Sequence, residues 1–379
     1  MGQSQSALHH WVEKRIAGVE SCSSTTWLGS CARHGQALFA PDPRKQQAQG
    51  CHAILAAMPT PIPPACDDFI QRFDHGIYVI DTGFVRDRFA ASHLIVTNGR
   101  GAFVDTGTNH SVPRLLATLD TLGLECSDID YVILTHVHLD HAGGAGLLMR
   151  ALPNARLVVH PRGARHMIDP TKLMAGVRAV YGPEVAARDY GELVPVAADR
   201  IVTTSDGMVI ELGGRALRFA DTPGHALHHD CIWDEESRGW FTGDTMGIAY
   251  PALATSRGAQ VIPATAPVQF DPEALHASVN RLLAPQPRLI YMTHYGAVPH
   301  PERIAVQLLR QIDAMVAAAR RLRDAPERHA SLKAAFHEIY VNELRNHGST
   351  ASDAMLDLWI NGDVELNAQG LGVWLDKNP

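Results

Sequence analysis

An apolar strand runs straight into three imidazoles and a carboxylate: Tyr131-Val132-Ile133-Leu134 is followed by Thr135-His136-Val137-His138-Leu139-Asp140-His141. The apolar run is rich in β-branched and aromatic residues and too short for a helix, so it reads as a buried strand. The small residues Ala142-Gly143-Gly144-Ala145 come next, then a helical run through Leu152. The polar cluster therefore leaves the carboxyl end of a strand, where open α/β sheets place their ligands. On extended backbone, residues two apart point the same way. His136 and His138 are thus expected to reach one point, and the turn beyond them aims Asp140 and His141 at a neighbouring one. Neutral imidazole and carboxylate are ligands that suit zinc and iron. In a chain with 21 histidines a lone H-x-H carries little weight, whereas H-x-H-x-D-H is far more restrictive.

Three later strands end on the same kinds of residue. Arg215-Ala216-Leu217-Arg218-Phe219-Ala220 alternates like a strand and runs into Asp221-Thr222-Pro223-Gly224-His225. Gly239-Trp240-Phe241-Thr242-Gly243 ends on Asp244, and Leu289-Ile290-Tyr291-Met292-Thr293 ends on His294. Any one of these alone is an ordinary turn aspartate or loop histidine. Sharing one position, at the ends of apolar strands, they are expected to converge on one edge of a layered sheet.

The order and spacing of these motifs resemble those of the metallo-β-lactamase superfamily, in particular its binuclear hydrolases of the glyoxalase II type. The resemblance covers about residues 66–298. It includes Val104-Asp105-Thr106-Gly107, similar to an early Asp-Thr-Gly turn of that family. It implies an α/β fold built as an αββα sandwich and two divalent metal ions, zinc foremost with iron or manganese as alternatives. By the same resemblance His136, His138 and His225 hold one ion, Asp140, His141 and His294 hold the second, and Asp244 bridges them. A hydroxide shared by the two ions would be the nucleophile, since paired divalent ions bring the pKa of bound water toward neutrality. Asp140 would ligate, orient the hydroxide and relay a proton to the leaving group. Asp105 is expected to support the ligand loops rather than to ligate. The β-lactamases of the superfamily carry cysteine or serine where this chain has Asp244, and its oxygen-reducing di-iron members carry glutamate where this chain has His138. Both are therefore disfavoured. His229 completes a T-P-G-H-x-x-x-H pattern and is expected to pack in the loop or support a ligand; His228, standing where glycine is usual, is a candidate pocket residue.

The implied activity is hydrolysis of a small thioester, ester or lactone. The alternatives are a phosphodiesterase with the same metal site or an iron-dependent sulfur dioxygenase; a non-catalytic binding protein is disfavoured by the intact ligand set. No clear glutathione-binding basic cluster is present. Tyr295, next to His294, is a candidate hydrogen-bond donor to substrate or leaving group; packing beneath the following helices is the equal alternative. Net charge is −7 with no basic block, so a small-molecule substrate is expected and nucleic acid is not. No apolar run has the length of a membrane span, no charged and apolar leader reads as a secretory signal, and the expected location is cytoplasmic. Cys22, Cys31, Cys51, Cys66, Cys126 and Cys231 show no metal-type pairing and no disulfide framework.

The flanks divide the chain into three expected regions: 1–65, an N-terminal extension, disordered or linker; 66–298, the catalytic domain; and 299–379, a helical region. Within the second, Gly76–Ile80, Ser92–Thr97 and Gly101–Asp105 read as strands and Ser111–Leu122 as a helix, an alternation that supports α/β. Residues 161–200, with Arg162, Arg165, Lys172, Arg178 and Tyr181, read as a helical insertion able to roof the site. In the third, Ile304, Leu308, Ile312, Met315, Val316, Ala319 and Leu322, then Leu332, Phe336, Ile339 and Leu344, then Met355, Leu356, Trp359 and Ile360 recur at helical spacing. Such helices serve as a cap, a lid or a homodimer surface.

Residues 1–65 are rich in Gln, Ser, Ala and Pro and end in Met58-Pro59-Thr60-Pro61-Ile62-Pro63-Pro64, a linker of polyproline character. Met1-Gly2-Gln3-Ser4-Gln5-Ser6 formally fits a myristoylation signal, but Met58 is the expected working start. A chain beginning at Met58 should keep its fold, metal content and turnover. Aggregation or metal loss on that truncation would place the early segment against the catalytic domain.

Overall fold

The computed structural model describes residues 68–265 and 268–378, so the N-terminal extension and its linker lie outside the described residues. Two mixed sheets stack face to face. The first comprises β1 (Ile70–Phe73), β2 (Ile77–Asp81), β3 (Ala91–Thr97), β4 (Arg100–Val104), β5 (Ile129–Ile133), β6 (Arg156–Val159) and β7 (Ile201–Thr203), in that order. The second runs β13-β12-β11-β10-β9-β8, from β8 (Val209–Leu212), β9 (Arg215–Asp221), β10 (Asp230–Asp234), β11 (Gly239–Gly243), β12 (Leu289–Met292) and β13 (Gly296–Pro299). The helices are α1 (Val112–Leu122), α2 (Leu139–Ala142), α3 (Ala145–Ala151), α4 (Pro161–Ile168), α5 (Thr171–Tyr181), α6 (Pro183–Tyr190), α7 (Pro272–Leu283), α8 (Pro301–Arg321), α9 (Arg328–Asn346) and α10 (Asp353–Lys377). Two mixed sheets with outer helices and a C-terminal helical region are the sandwich that the sequence motifs imply.

Strand direction explains why the motifs meet. β4, β5, β6 and β7 are parallel, with helical crossovers between them. β11 and β12 are parallel, and β9 runs antiparallel to β10, which is antiparallel to β11, so β9, β11 and β12 share one direction. The carboxyl ends of β4 and β5 in one sheet, and of β9, β11 and β12 in the other, deliver Asp105, the His136–His141 segment, His225, Asp244 and His294.

Between the sheets, Ile77, Ile95, Ala102, Val104, Ile133 and Val158 face Leu217, Phe219, Ile232, Phe241 and Tyr291. β9 shows the period-two cause, with Arg215, Leu217 and Phe219 buried and Ala216 and Arg218 exposed. The opposite face of the second sheet, with Trp240, Ile290, Met292 and Val298, joins Leu275, Val279 and Leu282 of α7 and the apolar faces of α8–α10 in one core. Ile304, Leu308, Ile312, Met315 and Ala319 of α8 recur every three to four residues, as do Leu332, Phe336, Tyr340 and Leu344 of α9. Met355, grouped with that apolar face by spacing, is instead exposed at the start of α10.

The 161–200 insertion folds as α4–α6 and packs directly on the motif. Leu139, between His138 and Asp140, is buried against Met174 and Ala186, with Leu173, Val177, Tyr190 and Leu193 around it. The side chain of Tyr181 lies outside the described residues. Cys126 is disulfide-bonded, while Cys231 is a buried free thiol. Among the described residues no helix is long and apolar enough to cross a membrane.

Candidate metal centre

His136 and His138 leave β5 on extended backbone, and His138 caps the single-turn helix α2 that carries Asp140 and His141. Gly224, before His225, has φ +134°, and a Cβ there would stand 2.4 Å from Cα of Leu275. Only glycine lets the β9 end pass so close to α7 and then turn His225 inward. Gly243, before Asp244, is tight for a similar reason: its Cβ would meet Thr135 Oγ1 at 2.5 Å.

Seven polar side chains converge in two joined groups. Nδ1 of His138 lies 2.9 Å from His136 Nε2 and 3.1 Å from His225 Nε2. On the other side His294 Nε2 is 3.1 Å and His141 Nε2 3.9 Å from Asp140 Oδ2. Asp244 stands between them. Its Oδ2 is 3.5 Å from His225 Nε2 and 4.0 Å from His136 Nε2, and its Oδ1 is 3.4 Å from His141 Nε2. His136, His138 and His225 form one group able to hold a metal ion, and Asp140, His141 and His294 another, while Asp244 groups with His136 and His141.

The residues fit divalent ions on two independent grounds. Tetrahedral zinc with nitrogen ligands at about 2.05 Å separates its ligand atoms by roughly 3.3 Å, and the contacts above bracket that spacing. His141 Nε2 and Asp244 Oδ1 are also buried without a hydrogen-bond partner although they face each other. Buried polar atoms are rarely left so unless something else satisfies them.

The far side of most rings is already engaged. His225 Nδ1 donates to the Ala264 carbonyl at 2.8 Å and His294 Nδ1 to the Phe89 carbonyl at 2.9 Å. His141 Nδ1 donates to Asp105 Oδ2 at 2.8 Å, and His136 Nδ1 lies 3.2 Å from the Thr135 hydroxyl. A committed Nδ1–H leaves the Nε2 lone pair free to ligate. Asp105 is fully buried and also accepts from the Thr135 amide at 2.9 Å and the Thr293 hydroxyl at 2.7 Å. Thus Asp105 supports the ligand loops. His229 is likewise buried behind the site, its Nε2 accepting from the Asp244 amide at 3.3 Å. The His228 ring lies 5.7 Å from that of His138, beside the first group.

Burial and neighbouring imidazoles hold His136 and His138 well below the usual histidine pKa, and burial lowers His225. These rings are neutral, the form a ligand requires. Burial opposes charge on His141 too, but Asp244, Asp105 and Asp140 outweigh it and push it well above the usual value. The potential that favours a proton there favours a divalent cation as well. Asp140 is held far down despite burial, by His141 and His294, and keeps 26% of its side chain exposed.

Tyr295 is not brought to this cluster. It packs with Val79 and Ala91, and burial, with Asp81 and Asp87, raises its phenol. A further trio, His160, Asp221 and Asp230, has ligand atoms close together. However, His160 Nδ1 accepts from the Arg162 amide at 3.0 Å, which leaves the proton on Nε2 facing the carboxylates. Asp230 is taken up separately, its Oδ2 accepting from the Thr204 hydroxyl at 2.6 Å. Sequence reasoning gave no role to Thr135 and Thr293, or to the carbonyls of Phe89 and Ala264. The only available signal was the Thr-His pair repeated at Thr135-His136 and Thr293-His294.

Removing a ligand opens a coordination shell. His136→Ala or His225→Ala should empty the first group and His294→Ala the second, as read by metal analysis. Asp244→Ala should lower both. Asp105→Ala, which touches no proposed metal position, should weaken metal affinity about 10- to 100-fold. Unchanged affinity in that variant would reduce Asp105 to a packing residue.

Comparison with known proteins bears on the family and the fold. The metallo-beta-lactamase superfamily profile matches residues 85–294, more than half of the chain. A metallo-beta-lactamase fold-containing protein of Sulfurisphaera tokodaii, ST1585, is 26% identical over 228 residues, covering 59% of this chain and 79% of that protein. The atrochrysone carboxyl ACP thioesterase of Aspergillus fumigatus is 30% identical over 156 residues, 41% of this chain, but the match spans only 39% of its own length. The crystal structure of the family protein TTHA1429 of Thermus thermophilus superposes with a TM-score of 0.57 at 21% identity, over 80% of this chain and 94% of that one, and shows a shared fold. With that profile running from the loop before β3 to His294, the chain belongs to the metallo-beta-lactamase superfamily.

Proposed function

We propose that this protein is a binuclear metal-dependent hydrolase acting on a small thioester, ester or lactone, with zinc as the principal metal and manganese or iron as alternatives. The observation that carries the reading is Asp244, one oxygen turned to each of two ligand groups. Two divalent ions, when bound, supply Lewis acidity and a water whose pKa lies near neutrality. His136, His138 and His225 would hold one of them, Asp140, His141 and His294 the other, and Asp244 both. His138 and Asp140 are the partly exposed members of the set, which favours substrate approach from their side. Asp140, with 26% of its side chain exposed, is the candidate to orient the attacking water and relay a proton outward.

Within this class a thioester is favoured. A thiolate, with a conjugate acid pKa near about 8.5, departs without a proton donor, so the chemistry does not depend on Tyr295. The thioesterase name carried by the Aspergillus fumigatus relative supports the same choice.

Purified protein should contain two zinc or manganese ions and hydrolyse members of a thioester panel faster than lactones or phosphodiesters. Chelation should abolish turnover and zinc should restore it. Asp140→Asn should lower turnover at least tenfold, in line with the 10²–10⁴-fold typical of proton-transfer groups, whereas Tyr295→Phe should leave turnover and metal content unchanged. A single iron with oxygen uptake would overturn hydrolysis in favour of dioxygenation.

A further inference from the structure

Helix α10 buries residues around most of its circumference, polar ones among them. Two of its side chains lead to the metal centre by separate routes. Asn367 begins the first. Its Oδ1 accepts from the amide of Thr265 at 2.6 Å and from its hydroxyl at 2.8 Å, and its Nδ2 donates to the Pro263 carbonyl at 2.7 Å and the Tyr340 hydroxyl at 2.6 Å. A Cβ on Gly370 would stand 1.9 Å from the Thr265 carbonyl oxygen, so the 263–265 segment lies directly on the helix. Held between Pro263 and Thr265 is Ala264, whose carbonyl accepts from His225 Nδ1.

Trp359 begins the second route. Its ring lies 5.1 Å from that of Tyr250, and Tyr250 stacks on Phe89, also at 5.1 Å. The Phe89 carbonyl accepts from His294 Nδ1, and the Phe89 ring meets the His294 imidazole edge-on at 5.6 Å. Next to Tyr250, the Ala249 amide donates to the His294 carbonyl. Arg86 closes the assembly: its guanidinium lies 4.6 Å over Trp359 and 5.8 Å over Phe89, and it donates to the Leu358 carbonyl at 3.1 Å.

We propose that α10 positions the two metal-ligand groups independently, Asn367 setting His225 through Ala264 and Trp359 setting His294 through Tyr250 and Phe89. The inference rests on the reading of His225 and His294 as ligands of different ions. Its physical basis is that an imidazole is aimed by the hydrogen bond at its other nitrogen, and that bond is only as fixed as the carbonyl that accepts it. Both carbonyls sit outside the strands, on segments between regular elements. α10 supplies the contacts that immobilise them, so the C-terminal helices determine metal affinity as well as covering a sheet face.

The test measures the affinity of both zinc positions by chelator competition on the full chain. Trp359→Ala should weaken the ion lost in His294→Ala about tenfold or more and spare the other, since distant support of a ligand typically carries 10- to 100-fold in affinity. Trp359→Phe should recover most of that loss. Asn367→Ala should do the reverse, weakening the ion lost in His225→Ala, and Thr265→Val, which removes one hydroxyl bond and little volume, should give a smaller loss at the same position. Leu332→Ala, in the same helical core but on neither route, should lower the melting temperature and leave both affinities alone. Equal weakening of both ions by Trp359→Ala or Asn367→Ala, the same loss in Leu332→Ala, or no change in any variant would overturn the inference. If His225→Ala and His294→Ala do not each release their own ion, the ligand reading itself fails. If they do and the crossed pattern is absent, only the role of α10 fails.

Discussion

The Asp105 carboxylate is wholly buried at the carboxyl end of β4, where an unpaired charge would be prohibitively costly. It is tolerated because donors from three places surround it: the amide and hydroxyl of Thr135, the Thr293 hydroxyl and His141 Nδ1. Thr135 belongs to the segment leaving β5 in the first sheet, Thr293 to the end of β12 in the second, and His141 to α2. One anion therefore ties both sheets and the candidate metal-binding turn together. It also fixes the face that His141 shows to Asp244 and Asp140. The negative potential felt by the imidazoles is in this way a consequence of the sandwich architecture.

Around that anchor, ring orientation is set by carbonyls from segments distant in sequence. Phe89 lies between β2 and β3, and Ala264 between β11 and α7, yet each takes the Nδ1 proton of a candidate ligand histidine. The 161–200 insertion adds a different constraint, burying Leu139 between His138 and Asp140 and meeting the 82–90 loop where Phe84 and Tyr190 come within 5.7 Å. The loop carrying the candidate ligands is thus gripped by packing on one side and by hydrogen bonds on the other, as a preorganised metal site would require.

Much of this was legible in advance, for local reasons. β5, β9, β11 and β12 announce themselves by short apolar or alternating runs, and each ends on a residue whose chemistry is visible in its type. The apolar repeat of α8 and α9 is equally plain. Strands β1, β6, β7, β8, β10 and β13 were not anticipated, because each is short or lacks a distinctive period. Gly296–Pro299 reads as a connection and becomes an edge strand paired with β12, a place where proline is tolerated. α10 was hidden beyond its first turns because it is enclosed on most sides, which removes the amphipathic stripe. Tyr295 was drawn to the site by adjacency to His294, but the two stand in the turn between β12 and β13, and the Tyr295 ring packs with Val79 and Ala91.

The sequence by itself determined which side chains could ligate and that they stand at strand ends, since residue type and strand periodicity are local properties. The tertiary structure decided which ends meet, through the shared direction of β9, β11 and β12 and the stacking of two sheets. It alone decided which nitrogen of His136, His141, His225 and His294 faces the centre, because that choice belongs to Thr135, Asp105, Ala264 and Phe89. Those partners lie from one to more than two hundred residues away along the chain, and their role exists only once packing has fixed the carbonyls and the buried carboxylate in place.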